Sequence, residues 1–324
     1  MGTLYIAKRG YHIKLDGNAM AFYLNGKRDG IIPIEPLERV VFIGSMTIDT
    51  NVLKRLTKAG ATCIFLSGKR MKFWGRLTGT LHNNAMLRIK QYEKLQSSFA
   101  IELSQWLVKR KISSQIEFIQ NITTQRNDIS FFGERAIQTL KKCLETVEKM
   151  DNIQALNGLE GSASNVYFEF YKKLFAESLK FKKRTRRPPR DPVNSMLSLV
   201  YTMLHNEVLR EIEIIGLDPF IGFYHQFDYG RESLACDFIE LYRCEADLFV
   251  YRVFAEQILR SKNFSVTQEG CYLKKESRQT FFELYEQWIE PLREKIKDEI
   301  RNFARIINEG KNSLSKLIGQ SINS

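Results

Sequence analysis

The chain has 324 residues, 44% apolar and 27% charged, with a formal net charge of +12, the balance of a soluble globular protein with room for one large domain or two ordinary ones. The basic excess favours a polyanionic partner, nucleic acid most simply, without identifying one. Five scattered cysteines with no C-x-x-C pair argue against a disulfide frame or zinc ribbon; with no signal peptide and no run near ~18 apolar residues, the expectation is a cytoplasmic chain that meets no membrane.

Residues 1–80 are expected to form a small, mostly β domain. TLYIAK, YHIKLDG, MAFYLNGK and GIIPIE cluster strand-formers between Gly, Asn and Asp. RVVFIG is a short apolar run, read as a buried strand. Asp49 or Thr50 caps a helix over NVLKRLTKAG, with Gly60 as its stop. ATCIFLSG and MKFWGRL add two more strands. From about residue 83 the spacing turns helical: Leu95, Phe99, Leu103 and Leu107 follow one another at four-residue steps. Similar patterns recur at 132–150, 161–180, 193–214, 232–260 and 277–308. Residues 84–324 are therefore read as a larger all-α domain, with the hinge between Gly79 and Asn84. Residues 1–80 carry 13 Lys and Arg against 5 Asp and Glu, and the remainder 36 against 32. Basic clusters in the helical domain must then be offset by acidic ones.

One such cluster is KFKKRTRRPPR, with Lys180, Lys182, Lys183, Arg184, Arg186, Arg187 and Arg190 and no acid. Pro188 and Pro189 stop any helix there, so the run reads as an exposed loop. It is either a solvated linker or a phosphate-binding segment.

Two stretches carry acids where core is expected. In LNGLEGSASNVYFEFYKKLF, Glu160 stands between glycines ahead of an apolar stripe of Ala163, Tyr167, Phe170, Tyr171 and Leu174. Taken alone it reads as a first-turn glutamate favoured by the helix dipole. In GFYHQFDYGRESLACDFIELYR, a helix from Arg231 or Ser233 buries Leu234, Phe238 and Leu241. It places Asp237 and Glu240 three residues apart, as neighbours flanking that stripe. Two such carboxylates ~4 Å apart repel by about 4 kcal/mol at an effective dielectric of 20. Either they turn to water or a cation holds them together. His225 offers a neutral imidazole nearby, and an oxygen-rich set with one imidazole suits Mg²⁺ or Mn²⁺. His12, His82 and His205 are read as structural.

Taken in order, GLEG, RRPPRDPVNSMLSLVYTMLHNEV, GLDPFIGFYH and RESLACDFIELYR resemble the CRISPR-associated adaptation endonuclease family, metal-dependent integrases that insert spacers into CRISPR arrays. The family pattern is Gly-x-Glu-Gly, a basic Pro-rich lead into Asp-Pro-x-Asn, Gly-Leu-Asp-Pro, Gly-x-x-His, and a Ser-Leu-x-x-Asp-x-x-Glu helix ending in Arg. The closing ELYR departs from the more frequent Glu-Pro-Phe-Arg or Glu-Glu-Phe-Arg but keeps Glu240. The resemblance implies Glu160, His225 and Glu240 as catalytic metal ligands, with Asp237 a ligand or a residue behind them. It places Asn194 and Tyr201 on a helix beside the site. It implies transesterification by a DNA 3′-hydroxyl on duplex or branched DNA. It also implies a homodimer through residues 1–80 and a small ferredoxin-like adaptation protein bridging two dimers. Two alternatives stand beside it: a related mobile-element transposase or integrase, and a non-catalytic nucleic-acid-binding protein.

Overall fold

The computed structural model describes residues 2–79, 82, 84–225 and 227–309. The chain divides into two compact units, Met1–Leu81 with Tyr272–Gln287, and His82–Cys271 with Trp288–Ser324.

In the first unit, β1 (Gly2–Ile6), β2 (His12–Asp16), β3 (Ala19–Leu24), β4 (Lys27–Pro33), β5 (Leu37–Ile43) and β6 (Thr47–Ile48) precede helix α1 (Thr50–Lys58), and β7 (Thr62–Leu66) and β8 (Phe73–Leu77) follow it. They form two four-stranded sheets, ordered β1-β5-β7-β8 and β4-β3-β2-β6. The apolar run read as a buried strand is β5, flanked in parallel by β1 and β7. Its Val40, Val41, Phe42 and Ile43 are all buried, as a strand covered on both faces requires. Asn25 and Gly26, both at positive φ, make the two-residue turn from β3 to β4. Asp49, not Thr50, caps α1, accepting from the Asn51 N–H at 3.0 Å. Ile13, Met20, Val40, Val52, Leu56 and Cys63 meet in one fully buried core.

Residues 272–287, counted with the helical domain from sequence, group with these strands. The reason is apolar: Tyr5 on β1 stacks on Phe282 at 4.1 Å and donates its hydroxyl to Glu286 at 2.6 Å. The Arg278 guanidinium also donates to the Lys69 carbonyl at 3.0 Å.

The second unit contains α2 (Ala85–Leu95), α3 (Phe99–Gln125), α4 (Ser130–Thr146), α5 (Ile153–Tyr171), α6 (Pro192–Ile215), α7 (Ser233–Ile239) and α8 (Arg243–Ala255). A hairpin of β9 (Phe264–Thr267) and β10 (Gly270–Leu273) then leads to α9 (Arg278–Glu309), which starts in the first unit and ends in the second. A β-rich N-terminal region followed by helices is the fold class read from sequence. The four-step stripe from Leu95 to Leu107 nevertheless spans two helices. At the break Ser97 Oγ donates to the Lys94 carbonyl and accepts from the Phe99 N–H, local bonds that compete with the helix ladder. Helix α6 is closed at both ends: Asp191 accepts from the Asn194 N–H at 2.9 Å, Pro192 fills the first turn, and Gly216 at φ 91° ends it. Among the described residues no helix is long and apolar enough to cross a membrane.

Candidate active site

The second unit brings the sequence-predicted acids and histidine to one place through four of its segments. Helix α5 starts at its Asn152 cap, which accepts from the Ala155 N–H at 2.8 Å. Glu160 therefore lies in mid-helix, not in a first turn, and the dipole argument drops away. Gly158 and Gly161 stay inside the helix, and a Cβ at either would meet nothing within 4 Å. Both glycines thus face open space and not a packed neighbour.

Glu240 opens a single 3-10 turn, Glu240–Tyr242, between α7 and α8. Only 3% of it is exposed, so its charge needs partners inside the protein. Arg243 Nη2 lies 2.9 Å from Oε1, and His225 Nε2 3.9 Å from the same oxygen. Lys111 Nζ, from α3, lies 2.6 Å from Oε2. Burial lifts the Glu240 carboxyl, but Arg243, Lys111 and His225 outweigh it and hold it down to about 2. Lys111 also pairs with Glu160, whose Oε1 accepts from Ser164 Oγ at 2.6 Å. The two glutamates are thus joined through one buried ammonium.

Asp237 faces the other way. Its Oδ2 accepts from the Phe223 N–H at 2.6 Å and the Tyr224 N–H at 3.2 Å. Its Oδ1 lies 2.8 Å from both the His225 N–H and His225 Nδ1. An ionised carboxylate accepts only, so Nδ1 carries a proton and Nε2 is the nitrogen turned toward Glu240. A carboxylate behind a histidine in this way is the usual support of a metal-binding imidazole.

Behind Glu240 lies a second buried network. Arg243 sits over the Tyr201 ring at 5.1 Å and Arg184 at 5.5 Å. The Tyr201 hydroxyl donates to Asp247 Oδ1 and the Tyr167 hydroxyl to Oδ2, the latter at 2.9 Å. Burial raises the Asp247 carboxyl to about 6, against the pull of these hydroxyls and of Arg243 and Arg184.

The basic run behaves unevenly. Lys180, Lys182, Lys183, Arg186, Arg187 and Arg190 are exposed. Arg184 turns inward and donates to Asn194 Oδ1 at 2.9 Å and to the Thr185 carbonyl at 2.8 Å. Asn194 also accepts from the Thr185 N–H and donates to the Lys183 carbonyl, both at 2.8 Å. The asparagine thereby pins the run onto α6, and Arg184 is withdrawn from any exposed phosphate-binding set.

Two glutamates and an imidazole are a donor set suited to Mg²⁺ or Mn²⁺. The Tyr224 hydroxyl is buried without a hydrogen-bond partner, and burial followed by the nearby Glu160, Glu240 and Asp237 carboxylates pushes it well up. It marks a polar position beside these carboxylates that no side chain satisfies. The donors suit a divalent ion in kind but not in their present placement. Among the described residues no three His, Cys, Asp or Glu side chains stand around a point that could hold one. The Lys111 ammonium takes the position between the glutamates. Lys111 was missed from sequence although a signal existed. Continuing the four-residue steps past Leu107 reaches Lys111 and then Gln115, polar residues on a buried face, 7% and 2% exposed.

Comparison with known proteins gives concordant results. The family model described as CRISPR associated protein Cas1 matches residues 4–287. The CRISPR-associated endonuclease Cas1 1 of Thermodesulfovibrio yellowstonii is 48% identical over 318 residues, 97% of this chain and 100% of the relative. Among solved structures, a casposase bound to integration product superposes with a TM-score of 0.82 at 18% identity, over 96% of this chain and 92% of that one. A chain of a Cas6-RT-Cas1–Cas2 complex gives 0.81 at 23% identity, over 95% of this chain and 35% of that one.

Proposed function

Because this chain belongs to the Cas1 family of CRISPR-associated proteins, we propose that it is a metal-dependent DNA endonuclease and integrase of CRISPR adaptation. What supports the reading is that Glu160 and Glu240, from separate segments, meet on one Lys111 ammonium, with His225 Nε2 3.9 Å from Glu240 Oε1. The 48% identical relative is named an endonuclease, and the matched casposase is bound to integration product.

In this reading Glu160, His225 and Glu240 hold Mg²⁺ or Mn²⁺. When bound there, such an ion would supply Lewis acidity to a phosphoryl oxygen and lower the pKa of the attacking hydroxyl. Asp237 holds the imidazole in the tautomer that presents Nε2, and Arg243 fixes the Glu240 carboxylate. The reacting bond is a phosphodiester. A DNA 3′-oxygen attacks phosphorus and forms a new ester bond as the old P–O bond breaks, and the leaving 3′-oxygen takes up a proton. Water in place of the 3′-hydroxyl gives hydrolysis. Exposed residues of the basic run follow the phosphate backbone outside the site. We extend the same reading to partners: residues 1–80 form a homodimer surface, and a small ferredoxin-like protein bridges two dimers; in support, one matched chain belongs to a Cas6-RT-Cas1–Cas2 complex.

The test is strand transfer on branched DNA with Mn²⁺. The wild-type chain should join a 3′-hydroxyl end to the target strand, and Glu240→Ala should bind the DNA without joining it. Equal product yields from both chains would remove Glu240 from the reaction. A mobile-element integrase is the second reading, favoured by the casposase likeness. A preference for repeat-array DNA over unrelated duplex separates the two.

A further inference from the structure

A buried carboxylate, Glu240, beside a half-buried one, Glu160, calls for a cation, and this chain supplies one of its own. Lys111 Nζ contacts Glu160 Oε1 and lies 2.6 Å from Glu240 Oε2, with 9% of its side chain exposed. It is not a rim lysine drawn in by chance. It continues the buried face of α3, beside Val108 and Ile112 at 1% and 0% exposure. Burying an ammonium there is costly unless carboxylates meet it, and burying the carboxylates is costly unless a cation meets them.

We infer that Lys111 is the resident cation of the site: its ammonium holds Glu160 and Glu240 together in the metal-free protein and has to leave the point between them for a divalent ion to enter. This inference rests on the metal-dependent reading above. A divalent ion and an ammonium cannot share two carboxylates at contact distance without strong repulsion. The long, flexible lysine stem lets the charge move while α3 stays in place. Metal affinity is then set by competition with the protein's own side chain, and the glutamates keep their arrangement between metal-binding events.

The test is calorimetric titration of the full chain with Mn²⁺, paired with thermal melting in EDTA and in Mn²⁺. Wild type, Lys111→Met and Glu240→Gln are compared, with Lys111→Gln as a second neutral variant should methionine prevent folding. Glu240→Gln should lose most Mn²⁺ binding. Lys111→Met should bind Mn²⁺ at least about tenfold more tightly than wild type, a gain of about 1.4 kcal/mol. It should melt lower than wild type in EDTA and recover in Mn²⁺. Folding of the neutral variants only with Mn²⁺ present would be the same result in stronger form. Unchanged or weaker Mn²⁺ affinity in the lysine variants, with Glu240 dependence intact, overturns the inference and leaves the metal reading standing. Failure of both lysine variants to fold even with Mn²⁺ also overturns it. Absence of Glu240-dependent Mn²⁺ binding in every chain removes the metal reading, and the inference with it.

Discussion

The helical unit handles positive charge in two ways. Around Glu240, Lys111 and Arg243 are drawn inward and each is matched to a carboxylate. Along 180–190, six lysines and arginines lie exposed, and the run itself contains no acid. The first arrangement fixes atoms at short range in a medium that screens little. The second acts over the Debye length and is weakened by salt. Arg184 belongs to the second group in sequence and to the first in space. Position in a basic run is therefore not enough to assign a phosphate-binding role.

The contrast is broken most severely at the inward cluster. Glu160→Ala, His225→Ala or Glu240→Ala should each lower turnover about a thousandfold or more, because Lewis-acid stabilisation is worth several kcal/mol. Affinity for the same DNA should stay within a few-fold. A variant that keeps turnover does not belong to the site.

Replacing Lys182, Lys183, Arg186 and Arg187 together by Gln should act on binding instead. Losing about four phosphate contacts lowers the slope of log affinity against log salt by about 3 to 4. Affinity at low salt should fall on the order of a hundredfold, and an unchanged slope returns the segment to a solvated linker.

Asp247 sharpens the comparison through pH. Burial lifts its carboxyl from the usual 3.8 to about 6 in the fold. The folded state therefore holds its proton over a range where the unfolded chain has released it. Stability from this group is fully present below 3.8 and is lost as pH rises through 6, by about 3 kcal/mol in all. Asp247→Asn should flatten urea-melting stability across that window, and a pH slope that survives the substitution assigns it elsewhere. The smallest effect is expected at Arg184. Arg184→Gln leaves Asn194 short of a donor and should cost about 1–3 kcal/mol of stability. The salt slope of DNA binding should not move, whereas a fall would restore Arg184 to the phosphate-binding set.

Much of this was legible in the residues. The apolar run at 39–44 was read as a buried strand, and β5 lies between two neighbours. Glu160, His225, Asp237 and Glu240 were singled out from sequence; Lys111 links the two glutamates, and His225 lies against Asp237 with its Nε2 3.9 Å from Glu240. What escaped has definite physical causes. The start of α5 was hidden because one asparagine cap outweighed the two glycines taken as a break, and this misplaced Glu160 along its helix. The β9–β10 hairpin is too short to register a period of two within a helical stretch. Lys111 escaped because a lysine on an apolar stripe looks like a side chain reaching for water until its partners, far away in sequence, are in place.

The grip of Asp237 on three successive peptide groups has a consequence for the timescale of the site. Phe223, Tyr224 and His225 lie in a connection without helix or strand, where backbone protons ordinarily trade with deuterium quickly. Tied to one buried carboxylate, they should instead trade slowly and as a group, and Asp237→Ala should release all three together. The histidine is thus carried by a loop with the persistence of a helix.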